Sequence, residues 1–355
     1  MSNADNYESV IQEANTDVAS FDEHNKGLVG RFHHLLHTTP ALVPLIVLVA
    51  AIIVFGLVLG SKFFSPFAMT LILQQVQIVG VLAAAQTLII LTAGIDLSVG
   101  AIAVLCTVVM GKFSFDYGLP PFFAVLGGLA VGTGIGAANG WLVSRVKLPP
   151  FIVTLGMWQI VLAANYLYSA NETIRSQDIE AEAPFLQFLG TTFSVGGARF
   201  TLGVFLMIAL VAILAYALRS TAWGRHVYAV GDDPEAAELA GVDVHKTLMS
   251  VYMVVGFICA LAGWVMIGRF GSVSPSATTG VIGNIQSITA VVIGGISLFG
   301  GRGSIVGAFF GALIVGVFEL GLRMGGANPQ WTFLLIGALI IGAVAVDQWI
   351  RKVSA

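Results

Sequence analysis

Charge is what this sequence lacks most. Only 10% of its 355 residues are Asp, Glu, Lys or Arg, while 57% are hydrophobic. A soluble globular chain carries about 25% charged residues. Between Lys62 and Lys112 a single charged residue, Asp96, stands alone. Uncharged stretches of that length exclude a soluble domain and place the chain in a bilayer, with lipid as its first partner. No basic run is present, which excludes nucleic acid as a partner. Cysteine is scarce: Cys106 and Cys259 lie inside apolar segments without metal-ligand spacing. They read as reduced packing residues, and no metal site is expected. All six histidines lie outside the apolar runs, and no Ser/His/Asp cluster is evident. An intramembrane enzyme therefore lacks its usual groups. The phosphate-binding pattern G-x-x-x-x-G-K-[ST] is also missing, since Gly111-Lys112 is followed by Phe113. The chain has no such loop with which to bind ATP itself.

What is present is a series of apolar runs. A helix needs about 20 residues to cross the hydrocarbon core. Spans are expected near 41–60, 67–92, 97–113, 122–143, 150–168, 200–218, 247–267, 285–301, 304–322 and 331–348. The fold class is all-α, with about ten transmembrane helices. The third and eighth spans are short, which suits tilted, broken or re-entrant segments covered by protein or water. Residues 1–38 read as a polar N-terminal tail, 39–350 as the transmembrane domain and 351–355 as a short C-terminus. The tail is no signal peptide: residues 1–30 hold six acidic residues, one Lys and no apolar core.

Lys and Arg set the orientation. With the N-terminus inside, inner loops contain Arg31, Arg145, Lys147, Arg219, Arg225, Lys246, Arg302, Arg351 and Lys352. Outer loops contain Lys62, Lys112, Arg175, Arg199, Arg269 and Arg323. This balance puts both termini in the cytoplasm. It also makes 169–199 a periplasmic loop and 219–246 a cytoplasmic one.

Glycine is plentiful, with 42 residues, and its spacing matters more than its number. Gly128, Gly132, Gly136 and Gly140 recur every four residues, as do Gly303, Gly307 and Gly311. Such stripes let helices approach closely in lipid. Packing within one chain and a dimer or moving interface both fit.

The inner loop contains "GDDPEAAELAGVDV", residues 231–244. Asp232 or Asp233 can cap a helix there, with Pro234 in its first turn. Glu235 complements the helix dipole, and Gly241 can terminate it. A helix of one or two turns is expected on the cytoplasmic face. It is either a surface turn or a docking knob. The turn "GIDLSVG" at 94–100 poses a similar choice. Gly94 can end the second span, and Asp96 or Ser98 can cap the third. Near the outer end of the ninth span, Glu319 and Arg323 stand four apart and can pair.

Three stretches, in matching order, carry a resemblance: "LIILTAGIDLSVGAI" at 88–102, "GRHVYAVGDDPEAAELAGVDV" at 224–244, and "IQSITAVVIGGISLFGGRGSIVGAFFGALIVG" at 285–316. They resemble permease subunits of bacterial sugar ABC importers of the ribose/xylose/galactose type, and look most like the fructose-type members. "FELGLRMGG" at 318–326 departs from the Asn-rich "NNGLN" of ribose-type members.

That resemblance implies a type II importer permease in the bacterial inner membrane. Its partners would be a second permease copy, two cytosolic ATPase subunits or one duplicated ATPase, and a periplasmic sugar-binding protein. ATP with Mg would be bound by the ATPase, and this chain would hold no cofactor of its own. The ATPase-coupling loop would comprise Gly224, Arg225, Gly231, Asp232, Asp233, Pro234, Glu235, Ala236, Ala237, Leu239 and Gly241. A bulky charge at Ala237 is expected to break coupling without unfolding the chain.

A neutral sugar needs donors and acceptors rather than fixed charge. The candidates for its path are Gln74, Gln86, Trp158, Gln159, Asn165, Asn284, Gln286 and Thr289. Hydrogen bonding between helices explains the same residues as well. A secondary transporter driven by an ion gradient is the alternative. It often shows carboxylates or broken helices at mid-depth, and such carboxylates are scarce here. A purely structural subunit would leave the inner loop unexplained.

Overall fold

Helix boundaries in this chain are written in Ser and Pro. Ser65 accepts from the Ala68 N–H and Pro66 opens the next helix. Pro121 and Pro150 open two others, and Ser276 and Ser304 each cap one with a side-chain oxygen. Proline in a first turn loses no hydrogen bond, and a serine cap satisfies a donor that lipid would leave bare.

A computed structural model describes residues 41–328 and 330–354. The expected tail at 1–38 lies outside them. The helices are α1 (Leu42–Leu59), α2 (Pro66–Leu91), α3 (Val99–Phe115), α4 (Pro121–Ser144), α5 (Pro150–Ser169) and α6 (Ser176–Glu182). They continue as α7 (Leu202–Ser220), α8 (Ala222–Asp232), α9 (Pro234–Leu239), α10 (Val244–Phe270), α11 (Ala277–Ile293), α12 (Ile305–Met324) and α13 (Gln330–Ser354). Seven are long and apolar enough to cross a membrane: α1, α2, α4, α5, α7, α10 and α12. Three shorter apolar helices, α3, α11 and the described start of α13, complete the ten expected spans.

The layering follows hydrophobicity. Every residue of α3 from Val99 to Lys112 is buried, as befits a helix apolar on all sides. Against it pack α4, α5, α10 and α11. Of the long spans, α2, α10 and α12 are buried over most of their length, while α1, α4 and α5 turn most of theirs outward. The glycine stripes serve this packing inside the chain. A Cβ at Gly136 would overlap the Tyr252 carbonyl, and one at Gly256 the Gly132 carbonyl, so α4 and α10 touch backbone to backbone. A Cβ at Gly311 would overlap the Ala290 carbonyl, which seats α12 against α11 in the same way.

Two expectations need correction. The eighth span runs over Ala277–Ile293, not 285–301. The apolar stretch "VIGGISLFGG" suggests helix, but Gly295, Gly300, Gly301 and Gly303 all take positive φ, which ends one. Thr278, Thr279 and Asn284, which fall before the expected bounds, therefore lie on the helix with Gln286 and Ser287. The loop at 169–199 is also more structured than an all-α reading allows. It holds α6, a 3-10 segment at Pro184–Gly190 and a two-stranded antiparallel hairpin. The strands, β1 (Thr192–Val195) and β2 (Ala198–Thr201), pair Thr192 with Thr201 and Val195 with Ala198. Gly196 and Gly197 form the turn with φ of 58° and 84°, the conformation a two-residue hairpin demands. Gln187 donates to the Gly271 carbonyl (2.7 Å) and Trp264 to that of Leu186 (3.1 Å), fixing the loop onto α10.

Candidate functional site

The loop at 219–246 folds into two helices. Thr221 caps α8 by accepting from the Gly224 N–H (3.2 Å). Trp223, Val227 and Val230, spaced by four and three, give α8 an inward face. Trp223 donates to Ser250 Oγ (2.8 Å), tying α8 to α10, and the Tyr228 hydroxyl donates to the Gly303 carbonyl (2.9 Å). Burial holds the Tyr228 hydroxyl protonated by raising its pKa.

Asp233 is the cap of α9: its Oδ1 accepts from the N–H groups of Glu235 (2.9 Å) and Ala236 (3.1 Å). Pro234 opens the helix. At the far end Gly241 takes φ of 85°, and Val242 N–H returns to the Ala237 carbonyl (3.0 Å). Asp243 then caps α10, and the Lys246 N–H it accepts from holds its carboxyl below the usual carboxylate range. The six residues of α9 stand out from the bundle: Leu239 is 91% exposed, with Asp232, Asp233, Glu235 and Glu238 exposed around it. Ala237 is only 4% exposed. A bulky charge there would strike the underside of the helix and damage the fold, so Leu239 is the clean place to probe the outer face.

The C-terminal end of α8 lies against the C-terminal end of α2. A Cβ at Gly231 would overlap the Leu91 carbonyl, whose oxygen also accepts from the Gly301 N–H (3.0 Å). A Cβ on Gly300 would come within 2.8 Å of Ala93. One compact junction therefore joins α8, the α2–α3 turn and the α11–α12 loop, with no side chain between the backbones at Gly231 to absorb a displacement.

The turn after α2 dips back into the protein, and polar side chains from four helices hold it. From α2, the Gln86 amide faces the Asp96 backbone, and in the orientation that pairs donor with acceptor it donates to the Asp96 carbonyl (3.1 Å) and accepts from the Asp96 N–H (3.3 Å). From α5, Thr154 Oγ1 accepts from the Leu97 N–H (3.2 Å) and donates to the Ile95 carbonyl (3.1 Å). From α11, Asn284 donates to the Leu97 carbonyl (3.1 Å), and from α4, Asn139 donates to Ser98 Oγ (3.1 Å). Asp96 Oδ1 accepts from both the Ser98 N–H (2.7 Å) and the Ser98 hydroxyl (2.6 Å). Irregular backbone survives away from water only when its groups are satisfied in this way.

The expectations for this turn need amendment. Asp96 does accept from the N–H at the start of α3, but Ser98 caps nothing with its side chain, because its hydroxyl donates to Asp96 instead. Gly94 does close α2, its N–H returning to the Ile89 carbonyl (3.0 Å), with Ala93 in the left-handed conformation before it (φ 58°).

The expected path residues fall in separate places. Gln86 and Asn284 are engaged with the turn. Gln74 donates to the Arg199 carbonyl (2.7 Å), Asn165 to that of Pro275 (3.0 Å), and Thr289 back to Ile285 (2.8 Å). Trp158 is half-buried and Gln159 exposed on α5. Gln286 lines a cavity between α11, α12 and α13, together with Glu319 and Arg323. Those two form the expected pair, Nη2 to Oε1 at 3.1 Å. Among the described residues no group of His, Cys, Asp and Glu could hold a metal ion.

Comparison with known proteins joins this geometry to a family. Residues 68–344 match the family described as branched-chain amino acid transport system / permease component. The chain belongs to that permease family. The resemblance to sugar-importer permeases also holds. The permease is 67% identical over 349 residues to the fructose import permease protein of Rhizobium meliloti, covering 98% of this chain and 96% of that one. It is 33% identical over 309 residues to the ribose import permease protein of Escherichia coli strain K12, covering 87% and 92%. It is likewise 33% identical over 307 residues to the D-allose transport system permease protein of that strain, covering 86% and 91%. Family and apolar helices together make this a multi-pass protein of the bacterial inner membrane.

Sequence reading missed α8 and the polar knot at 95–98. A signal existed for α8, in Thr221 followed by apolar residues at helical spacing. None existed for the knot, whose members are scattered from Gln86 to Asn284.

Proposed function

We propose that this chain is the membrane subunit of an ATP-driven importer of a monosaccharide, fructose being the leading candidate. Two cytosolic ATPase subunits, or one duplicated ATPase, would bind ATP with Mg and power the cycle. A periplasmic binding protein would deliver sugar to the outer face, near residues 169–199, and a second permease copy would complete the path. The observation that carries the reading is the α8–α9 unit. A capped helix with one exposed leucine projects inward, and its supporting helix abuts the end of α2 at Gly231.

In this mechanism α9 seats in the ATPase. Closure of the ATPases displaces α9 and α8 as one body. The contact of Gly231 with Leu91 passes that displacement to the α2–α3 turn. Because the turn is bonded to α2, α4, α5 and α11, those helices shift together, exchanging outward for inward access. The uncharged side chains of the bundle suit a weakly held neutral sugar, since tight binding would slow release.

Labelled-fructose uptake in a strain deleted for this chain tests the reading, with unlabelled fructose, ribose, xylose and galactose as competitors. Restoration of uptake by the wild-type chain, with fructose the strongest competitor, is expected. Uptake that survives ATP depletion and follows an ion gradient would favour a secondary transporter instead.

A further inference from the structure

Gln286, Glu319 and Arg323 meet in a cavity of about 230 Å³ walled by α11, α12 and α13. Thr332, Phe333 and Ile285 also line it. Drug-sized ligands occupy about 300–1,000 Å³, so this space suits something smaller. Glu319 lies five residues before the end of α12, and Gln286 nine residues after the start of α11. At 1.5 Å per residue, the cavity sits about 8–14 Å in from the helix ends farthest from α9.

A surface ion pair does not account for this arrangement. A Glu–Arg pair four apart stabilises an exposed helix by only about 0.2–0.5 kcal/mol. Yet, while Arg323 is 65% exposed, the Glu319 side chain is only 24% exposed on a membrane-spanning helix, where ionised groups are costly and usually functional. The pair itself uses one carboxylate oxygen and one guanidinium nitrogen. The second oxygen and the other N–H donors of Arg323 remain for a ligand. Gln286 bonds to no other described residue, so its amide adds a donor and an acceptor.

The lining thus offers one acceptor-rich group, one donor-rich group, one amide and the Thr332 hydroxyl, beside Phe333. The pair cancels its own charge, so a neutral ligand is favoured. We propose that this cavity is an outer sugar subsite of the permease. Glu319 and Arg323 bond neighbouring hydroxyls, and the apolar ring face rests on Phe333 and Ile285. The assignment rests on the import reading above and adds to it the residues that select the sugar.

The test uses the permease with its ATPase, without the binding protein, in discs of neutral phosphatidylcholine. Gln286→Cys is labelled by a membrane-impermeant maleimide. The two native cysteines are fully buried and do not interfere. Fructose at about twice its dissociation constant should slow labelling about threefold, and adding Glu319→Gln should abolish that protection. In whole cells, Glu319→Gln and Arg323→Gln should each lower fructose uptake about tenfold or more at wild-type levels of assembled complex. Equal protection by fructose and by glycerol would overturn the proposal. So would protection only when anionic lipid is added, which would assign the cavity to a headgroup. If the wild-type complex shows no ATP-dependent uptake, the import reading fails. If it does and both variants match it, the subsite alone fails.

Discussion

Replacing Asp96 separates the two things its carboxylate brings, hydrogen-bond acceptance and charge. Asp96 is 1% exposed, and its Oδ1 takes the Ser98 N–H at 2.7 Å and the Ser98 hydroxyl at 2.6 Å. Asp96→Leu removes the oxygen that accepts both bonds and leaves two buried donors unsatisfied, at about 1–3 kcal/mol each. The sum, about 2–6 kcal/mol, is a large share of the 5–15 kcal/mol that typically separates folded from unfolded protein. Asp96→Asn keeps an acceptor at Oδ1 and removes the cost of burying a charge. Its loss of a charge-assisted bond should amount to about 1 kcal/mol. The assay is the monodisperse yield of detergent-solubilised protein on size exclusion after a temperature series. Asp96→Leu should fall early, and Asp96→Asn should track wild type and retain uptake. If Asp96→Asn folds normally and transports nothing, the charge itself is required, and the holding role argued for this turn is wrong.

Thr154→Val orphans the Leu97 N–H and the Ile95 carbonyl. It should destabilise the chain by about 1–3 kcal/mol per orphaned group, read in the same temperature series. Gly231→Ala puts a methyl group into the Leu91 carbonyl. The junction must part, so uptake should collapse while solubilised yield changes little. Gly136→Val drives α4 off α10. Overpacking of that kind costs about 1–3 kcal/mol, so folded yield should drop with no selective effect on coupling. Leu239→Glu alters the exposed leucine of α9 and should abolish copurification of the ATPase, with the permease itself eluting normally.

The spans were legible because lipid leaves little choice: an apolar run must be a helix with its own backbone bonds satisfied. The short loop helix was legible for a local reason, since Asp233, Pro234 and Gly241 signal its ends within a few residues. The eighth span was misplaced because hydropathy weighs Gly294–Gly303 as apolar, whereas positive φ at four glycines decides the backbone. The polar residues of the membrane were visible one by one. Their use was not, because Gln86, Asn139, Thr154 and Asn284 acquire a shared purpose only when four helices meet at Asp96. Residues that suggested a sugar path by composition therefore proved in part to be fasteners for an irregular turn. Glu319 and Arg323, recognisable as a pair from their spacing, gain a cavity only through α11 and α13.

The central claim, that an ATPase drives this chain through α9, is tested most directly in proteoliposomes. These would hold the permease and its ATPase, with the binding protein and labelled fructose outside. The account predicts uptake that requires ATP in the lumen, ignores an imposed ion gradient and vanishes in Leu239→Glu. Uptake without ATP, or undiminished uptake by Leu239→Glu, would contradict it.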